Sequence, residues 1–400
     1  MYRNILVPVD NSEYSNYAVD ASISLAEKFN SHLVSSHVYA ARLHDKRFKQ
    51  MEGVLPERYQ NETVLRKQRV VHDSLITRGL QVISDSYLSA FQEKCADAGI
   101  TGNGKILEGK NFVEIVNEVQ TSSYDLVALG ALGLGAVGTS MIGSTCERVL
   151  RRVRSDVLVV KKKSFPGKKI LVALDGSSQS FAGLKVALRI GKDFDLQIEA
   201  VSAVDPNFHR YAFHKLSGVL SEKAKKVFKF QEQERLHEEI IDKGLAKIYQ
   251  GYLNAARKIA EEEKVEIETT LLFGKAFDVI HKRLFEVDAS LLVVGRFGVH
   301  NVDGLDIGST AENLVRLSPC NVLVANGQFL VPEENLFQNG SRLLWSMEAE
   351  LLLERIPAMA RGMAKKAIEE YAKERGYREV TSEVMDEAKK KFGMTRDGER

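Results

Sequence analysis

One pattern, written twice, constrains this chain more than any other feature. Gly130-x-x-Gly133, nine residues, then Gly143-Ser144 recurs as Gly295-x-x-Gly298, nine residues, then Gly308-Ser309, 165 residues later and without a gap. The same offset carries Asp10 onto Asp175, Gly53-Val54-Leu55 onto Gly218-Val219-Leu220, Tyr87-Leu88 onto Tyr252-Leu253 and Gly109-Lys110 onto Gly274-Lys275. A repeat that holds register even through irregular segments is a duplicated folding unit. Residues 1–163 and 168–327 are therefore expected to be two copies of one domain, and 341–396 a third unit of different character. The lysine-rich segment Lys161–Lys169 reads as a solvated linker between the copies.

Each copy alternates short apolar runs with helical periodicity. Ile5–Val9 and Ile170–Leu174 are buried-strand runs that end at an acid, and Ser12 and Ser177–Ser178 stand where N-caps belong. Second strands are expected at Leu33–Tyr39 and Ile198–Val204. Long charged helices follow, at Asn61–Ala98 and Ser221–Glu263. The strands Asp125–Leu129 and Leu291–Val294 run straight into the glycine loops, and Val157–Val160 and Val322–Ala325 close the copies. Alternation of this kind implies a parallel sheet covered on both faces. Lys+Arg 56 against Asp+Glu 54 gives no electrostatic case for nucleic acid or an anionic membrane. The apolar run at the start is too short for a signal peptide, and no later run reaches roughly 18 residues, so a cytoplasmic location without membrane contact is expected. Cys95, Cys146 and Cys320 are isolated, which indicates buried thiols and neither a disulfide framework nor a metal site.

In an open α/β sheet, ligands bind beyond the carboxyl ends of the strands. Asp10 and Asp175 end the first strand of each copy and the glycine loops end the fourth, so acid and loop are expected to meet over one crevice. Glycine permits close backbone approach and φ > 0. Gly143-Ser144-Thr145 and Gly308-Ser309-Thr310 open helices, whose free N–H groups and dipole favour an anion. A carboxylate repels phosphate, which puts Asp10 and Asp175 at the other end of the ligand, against a base amino group or a ribose hydroxyl. The competing reading has the glycines making tight turns only. A dinucleotide fingerprint through Gly133-Leu134-Gly135-x-x-Gly138 fails in the second copy, where His300 and Asp303 stand, and no lysine precedes Ser144 or Ser309 as a Walker A loop requires.

With these residues in place, both copies resemble the universal stress protein family, in the branch that binds ATP through G-x-x-G-x9-G-[ST]; the likeness spans residues 1–326. The resemblance implies two tandem doubly wound five-stranded parallel sheets of order 3-2-1-4-5, paired about their last strands as a covalent pseudo-dimer. It implies that Asp10 and Asp175 contact the adenine end, and that Val38 and Ala203 line the base pocket. Gly130, Gly133, Gly143, Ser144 and Thr145 would then hold ribose and phosphates, as would Gly295, Gly298, Gly308, Ser309 and Thr310. The implied cofactor is ATP or another adenine nucleotide, with Mg2+ as a candidate companion. Two departures stand out. Leu134 and Val299 occupy positions that are often basic or polar in the family, and the second loop carries Arg296, available to offset phosphate charge, beside Asp303 and Asp306. The insertions Ala41–Leu80 and Asp205–Leu245 are candidates for a lid or a partner surface.

The tail resembles the small C-terminal domain of the light-independent protochlorophyllide reductase B subunit. The residues that carry the likeness are Trp345-x-x-Glu348-Ala349, Ile356-Pro357-x-x-x-Arg361, Ile368-Glu369-x-Tyr371-Ala372 and Val380-Thr381-x-Glu383-Val384. A small three-helix interaction module is expected, with tetrapyrrole binding as the sharper alternative; the reductase's catalytic body is absent from this chain. His72-Asp73 and His237-Glu238, and likewise His44 and His209, recur at the repeat offset and read as helix-surface and loop features. The leading expectation is a nucleotide-sensing binding module, with homodimerisation of the tandem chain and an unidentified protein partner as candidate associations. The rivals are a weak ATPase or a protein that phosphorylates itself on Ser144 or Ser309, and an adaptor for a tetrapyrrole-related or redox partner.

Overall fold

The computed structural model describes residues 1–165, 167–205, 219–221, 224, 226, 229, 232, 242–299, 306–331, 344–356, 358–375, 377 and 379–391. These form two compact units, Met1–Val331 and Pro332–Arg400.

In the first unit, one copy supplies β1 (Asn4–Pro8), α1 (Glu13–Phe29), β2 (His32–Tyr39), α2 (Ala41–Met51), α3 (Glu62–Asp97), β3 (Gly102–Glu108), α4 (Asn111–Thr121), β4 (Leu126–Gly130), α5 (Ser144–Leu150) and β5 (Asp156–Val160). The other supplies β6 (Lys169–Ala173), α6 (Ser178–Phe194), β7 (Gln197–Val204), α7 (Asp242–Glu262), β8 (Glu268–Phe273), α8 (Ala276–Glu286), β9 (Leu291–Gly295), α9 (Ser309–Leu317) and β10 (Asn321–Ala325). Ser12 and Ser177 cap α1 and α6 as their positions foretold, accepting from Ser15 N–H and Ser180 N–H. Both helices end on a left-handed residue, Asn30 (φ 52°) and Asp195 (φ 56°), which terminates the helical ladder at equivalent places.

The strands form one ten-stranded sheet of order β3-β2-β1-β4-β5-β10-β9-β6-β7-β8. Each copy is thus a parallel 3-2-1-4-5 sheet, and the copies join where β5 runs antiparallel to β10. The central strands read as continuous apolar runs because helices cover both faces. Ile5, Leu6, Val7, Ile170, Leu171 and Val172 are fully buried.

The seam between copies follows a local twofold. Glu147 pairs with Arg316 and Glu312 with Arg151 across α5 and α9, each at 2.5 Å, and i,i+4 pairs close the ring. Asn321 Oδ1 accepts from Lys161 N–H at 2.7 Å, while at the equivalent place Asp156 Oδ1 accepts from Asn326 N–H at 2.7 Å. Phe29 meets its own repeat partner, Phe194, edge to face at 6.2 Å. Lys161 is therefore not part of a solvated linker. Its ammonium is drawn into the seam, donating to Arg316 C=O at 3.1 Å and Ser318 C=O at 2.8 Å.

Burial pushes Lys161 down to about 8, with Cys320 and Cys146 acting in the opposite direction. A depressed lysine is neutral in the fold while the unfolded chain still holds its proton, so its contribution to stability rises with pH between about 8 and the unfolded value near 10.4. The unfolding free energy of the parent minus that of Lys161→Met is expected to climb by about 1–3 kcal/mol over this window. A flat difference from pH 8 to pH 10 would overturn this assignment.

The segment Ala41–Leu80 holds a helix that the sequence reading passed over. α2 carries few apolar residues and earns its place by packing on α3, where Phe48 stacks on His72 at 4.2 Å and Arg69 grips Glu52 with two hydrogen bonds of 2.7 Å. Its counterpart in the second copy, residues 206–216 with His209, lies outside the described residues, as do Gly218, His237 and Glu238.

The second unit holds α10 (Met347–Glu354), α11 (Ala358–Glu374) and α12 (Ser382–Lys391) around Ala349, Ile368, Tyr371, Ala372, Val380, Val384 and Met385. The three expected helices are joined by an unforeseen two-stranded parallel ladder, Leu344-Trp345 against Glu379-Val380.

Candidate functional site

At the end of β1, Asp10 is held by its neighbours. Oδ1 accepts from Ser12 N–H at 3.0 Å and Ser12 O–H at 2.6 Å, and Oδ2 accepts from Leu134 N–H at 3.2 Å. Asp175 repeats this with Ser177 N–H at 3.0 Å, Ser177 O–H at 2.6 Å and Val299 N–H at 3.1 Å. The acid and the glycine loop do meet, across 124 residues of sequence. Leu134 and Val299 are exposed and serve through the backbone, which is why neither position needs a polar side chain for this contact.

The glycines divide by physical task. A Cβ on Gly130 would sit 2.7 Å from Ser15 N, and one on Gly295 2.9 Å from Ser180 N, so these two let α1 and α6 press on β4 and β9. A Cβ on Gly133 would lie 2.5 Å from Asp10 Oδ2, and Gly298 is crowded by Asp175 in the same way. Gly143 and Gly308 are the N-caps of α5 and α9, with no side chain capping either helix. Their N–H groups tie back to Ala131 C=O at 2.6 Å and Arg296 C=O at 2.9 Å, closing each loop on itself. None of the six has positive φ. The sequence argument from left-handed backbone is corrected: these positions need glycine for space.

All the residues singled out in the second copy, Asp175, Ala203, Gly295, Gly298, Gly308, Ser309 and Thr310, line one cavity of about 340 Å³. Its remaining wall is mostly apolar, with Ala276, Ile280, Val294, Ala311 and Leu314, closed by Tyr249 and Phe297. In the first copy Val38 is half-buried against the same core that holds Ile115 and Val149, and Ser144 and Thr145 open α5. A volume of this size, mostly apolar with a few polar groups in its wall, suits a small-molecule ligand.

Sequence reasoning missed Tyr249. It lines the same cavity as Asp175, and burial, then that acid, raises its phenol. Ser84 occupies the equivalent position in the first copy and meets His37 Nδ1 at 2.8 Å, so the repeat gave no signal for it. Tyr252 packs over Gly176, whose φ of 89° is the left-handed geometry that Asn11 (φ 59°) adopts in the first copy.

Arg296 is not where the sequence suggested. Its guanidinium is buried and turned to the other copy, donating to Val153 C=O, to Arg151 C=O at 2.6 Å and to its own loop at Asp306 C=O, 2.8 Å. Arg296 lines the cavity, but its guanidinium is committed to these three carbonyls. Asp306 is exposed, and Asp303 lies outside the described residues. Among the described residues, no group of three His, Cys, Asp or Glu side chains could hold a metal. The three cysteines are free and buried, and burial pushes Cys95, Cys146 and Cys320 up to about 11, 12 and 11.

In the second unit, the residues that prompted the tail resemblance build the module itself. Trp345 Nε1–H donates to Glu369 at 3.2 Å, Arg361 caps α10 through Glu354 C=O at 2.7 Å, and Ser382 O–H donates to Glu348 at 3.3 Å. Ala349, Ile368, Tyr371, Ala372, Val380 and Val384 are core.

Comparison with known proteins agrees with this division. The universal stress protein family model matches twice, over residues 1–161 and 167–326, and a model described as proto-chlorophyllide reductase 57 kD subunit matches residues 345–389. A putative universal stress protein of Staphylococcus aureus strain USA300 is 28% identical over 164 residues, covering 41% of this chain and 86% of that protein. A universal stress protein from Archaeoglobus fulgidus DSM 4304 shares the fold, with a TM-score of 0.52 and 16% identity over 81% of this chain and 98% of that one. A universal stress protein solved in complex with cAMP is 22% identical over 40% of this chain and 95% of its own, with a TM-score of 0.26. No described helix is long and apolar enough to cross a membrane.

Proposed function

The chain belongs to the universal stress protein family through its two tandem copies, and from that premise we propose that each copy binds an adenine nucleotide and that the pair acts as a nucleotide-responsive sensor or adaptor. The observation that carries this reading is the cavity of the second copy, where an acid and a helix start uncapped by any side chain line one mostly apolar space. The adenine lies in the apolar part, against Ala203 and Tyr249 in the second copy and Val38 in the first. Phosphates lie at Ser144-Thr145 and Ser309-Thr310, where backbone N–H groups have no intrahelical acceptor. A carboxylate has about four acceptor sites. Asp10 and Asp175 each use three on protein donors, leaving one on Oδ2 for a ribose hydroxyl. Any Mg2+ would enter on the phosphates, since no protein cluster among the described residues is built for it.

The test is the nucleotide released when purified full-length protein is denatured, followed by titration of emptied protein with ATP, ADP, AMP and cAMP, with and without Mg2+. One to two adenine nucleotides per chain, or saturable binding at that stoichiometry, is the expected result. A chain that is empty and also fails every titration would return the glycines to turn architecture.

A further inference from the structure

The two copies are alike in their loops and unlike at the rim. In the first copy, three cations gather round one ring: Lys110 Nζ lies 5.1 Å, Arg148 4.9 Å and Arg152 5.4 Å from the centre of Phe112. All three are exposed, and none has a carboxylate partner among the described residues. Of the nearby acids, Glu108 pairs with Arg42 and Glu147 with Arg316 and Arg151, while the Glu114 carboxylate lies against Gly109 at the start of α4 and pairs with none of the three. Three like charges crowded without a counter-ion cost free energy that a bound anion would recover. Lys110 is also the N-cap of α4, an 11-residue helix that no side chain caps and whose first turn carries the acid Glu114.

The repeat fixes where this cluster stands. In the second copy, Ala276 of α8 and Ser309 and Thr310 of α9 line the cavity. Their equivalents are Asn111, Ser144 and Thr145, so Phe112 is adjacent to a wall residue and Arg148 lies one turn beyond Ser144. The counterparts of Lys110, Phe112, Arg148 and Arg152 are Lys275, Phe277, Asn313 and Leu317, and two of the three charges are gone.

We propose that Lys110, Arg148 and Arg152 form a polyphosphate site at the rim of the first copy's cleft, so that this copy prefers nucleoside di- and triphosphates while the second copy does not discriminate by phosphate number. The proposal rests on the nucleotide-binding reading of the same cleft. ATP, AMP and inorganic tripolyphosphate are titrated calorimetrically into three full-length proteins: the parent, the triple variant Lys110→Gln, Arg148→Gln, Arg152→Gln, and the second-copy control Lys275→Gln. Melting temperatures check folding, and these exposed substitutions are expected to leave them unchanged. In the parent, one of two sites is expected to favour ATP over AMP by about 30-fold or more. The triple variant is expected to reduce that ratio to within about threefold while AMP binding persists, and the control to keep it. An unchanged ratio in the triple variant overturns the cation site and leaves nucleotide binding standing. If the parent binds neither nucleotide, the cleft reading fails. Tripolyphosphate then decides the rim: binding at one per chain that the triple variant loses upholds it, and no such binding removes it.

Discussion

Valine at Gly133 and Gly298 is expected to empty both clefts, lowering adenine-nucleotide affinity at least about 100-fold, or about 2.7 kcal/mol, while the sheet survives. A Cβ at Gly133 would lie 2.5 Å from Asp10 Oδ2, so the loop and the acid must part. That movement breaks the Leu134 N–H bond to Asp10 and the Val299 N–H bond to Asp175, which set the loops' position. Leu134 and Val299, next to the substituted glycines, are exposed, and displacement there should cost the fold about 1–3 kcal/mol. Gly130→Val is the informative contrast. Its Cβ would meet α1 backbone at Ser15 N, 2.7 Å away, and backbone cannot swing aside, so this variant should lose stability first. Equilibrium dialysis and urea melts on the two variants separate the effects. Retention of parental affinity in Gly133→Val, Gly298→Val would show that the acid–loop contact does not shape a ligand site.

The second large effect is expected from Arg296→Ala, at about 2–4 kcal/mol of stability lost. Arg296 satisfies the carbonyls of Arg151 and Val153 where α5 ends, and ties them to Asp306 in the second copy's loop. Truncation leaves buried acceptors without donors and opens a void in the seam. Arg296→Lys should recover little, because one ammonium cannot reproduce a three-way guanidinium fork. Since Gly308 N–H bonds to Arg296 C=O at 2.9 Å, nucleotide affinity in the second copy should fall as well. A loss below about 0.5 kcal/mol in denaturant melts, the range of ordinary surface changes, would mean that water replaces the guanidinium at little cost.

The glycine loops and their acids were legible because each was written twice in one register, and burial of the strands made their apolar runs plain. The seam was legible only through the family resemblance, which anticipated pairing of the last strands. What escaped was decided by tertiary direction. Arg296 follows a glycine at a cleft and reads as a phosphate ligand, yet the neighbouring copy offers its side chain two carbonyls and its own loop a third. Lys161 sits in a run of lysines and reads as solvated, yet two carbonyls draw it inward. Tyr249 has Ser84 as its counterpart, so no repetition marked it. α2 has too little apolar character to be seen without the helix it packs on, and two-residue strands such as Leu344-Trp345 are too short for any periodicity.

The seam has a consequence for how such a chain can change. In a dimer of identical subunits every substitution appears twice, and each new contact must suit its own mirror partner. Here the equivalent carbonyl pairs, Arg151 with Val153 and Arg316 with Ser318, are served by different cations from different places, an arginine on a loop and a lysine after a strand. Covalent joining also holds the halves at a fixed effective concentration, so dilution cannot separate them. Fusion thus frees each half to drift alone, one keeping an old task while its twin acquires another.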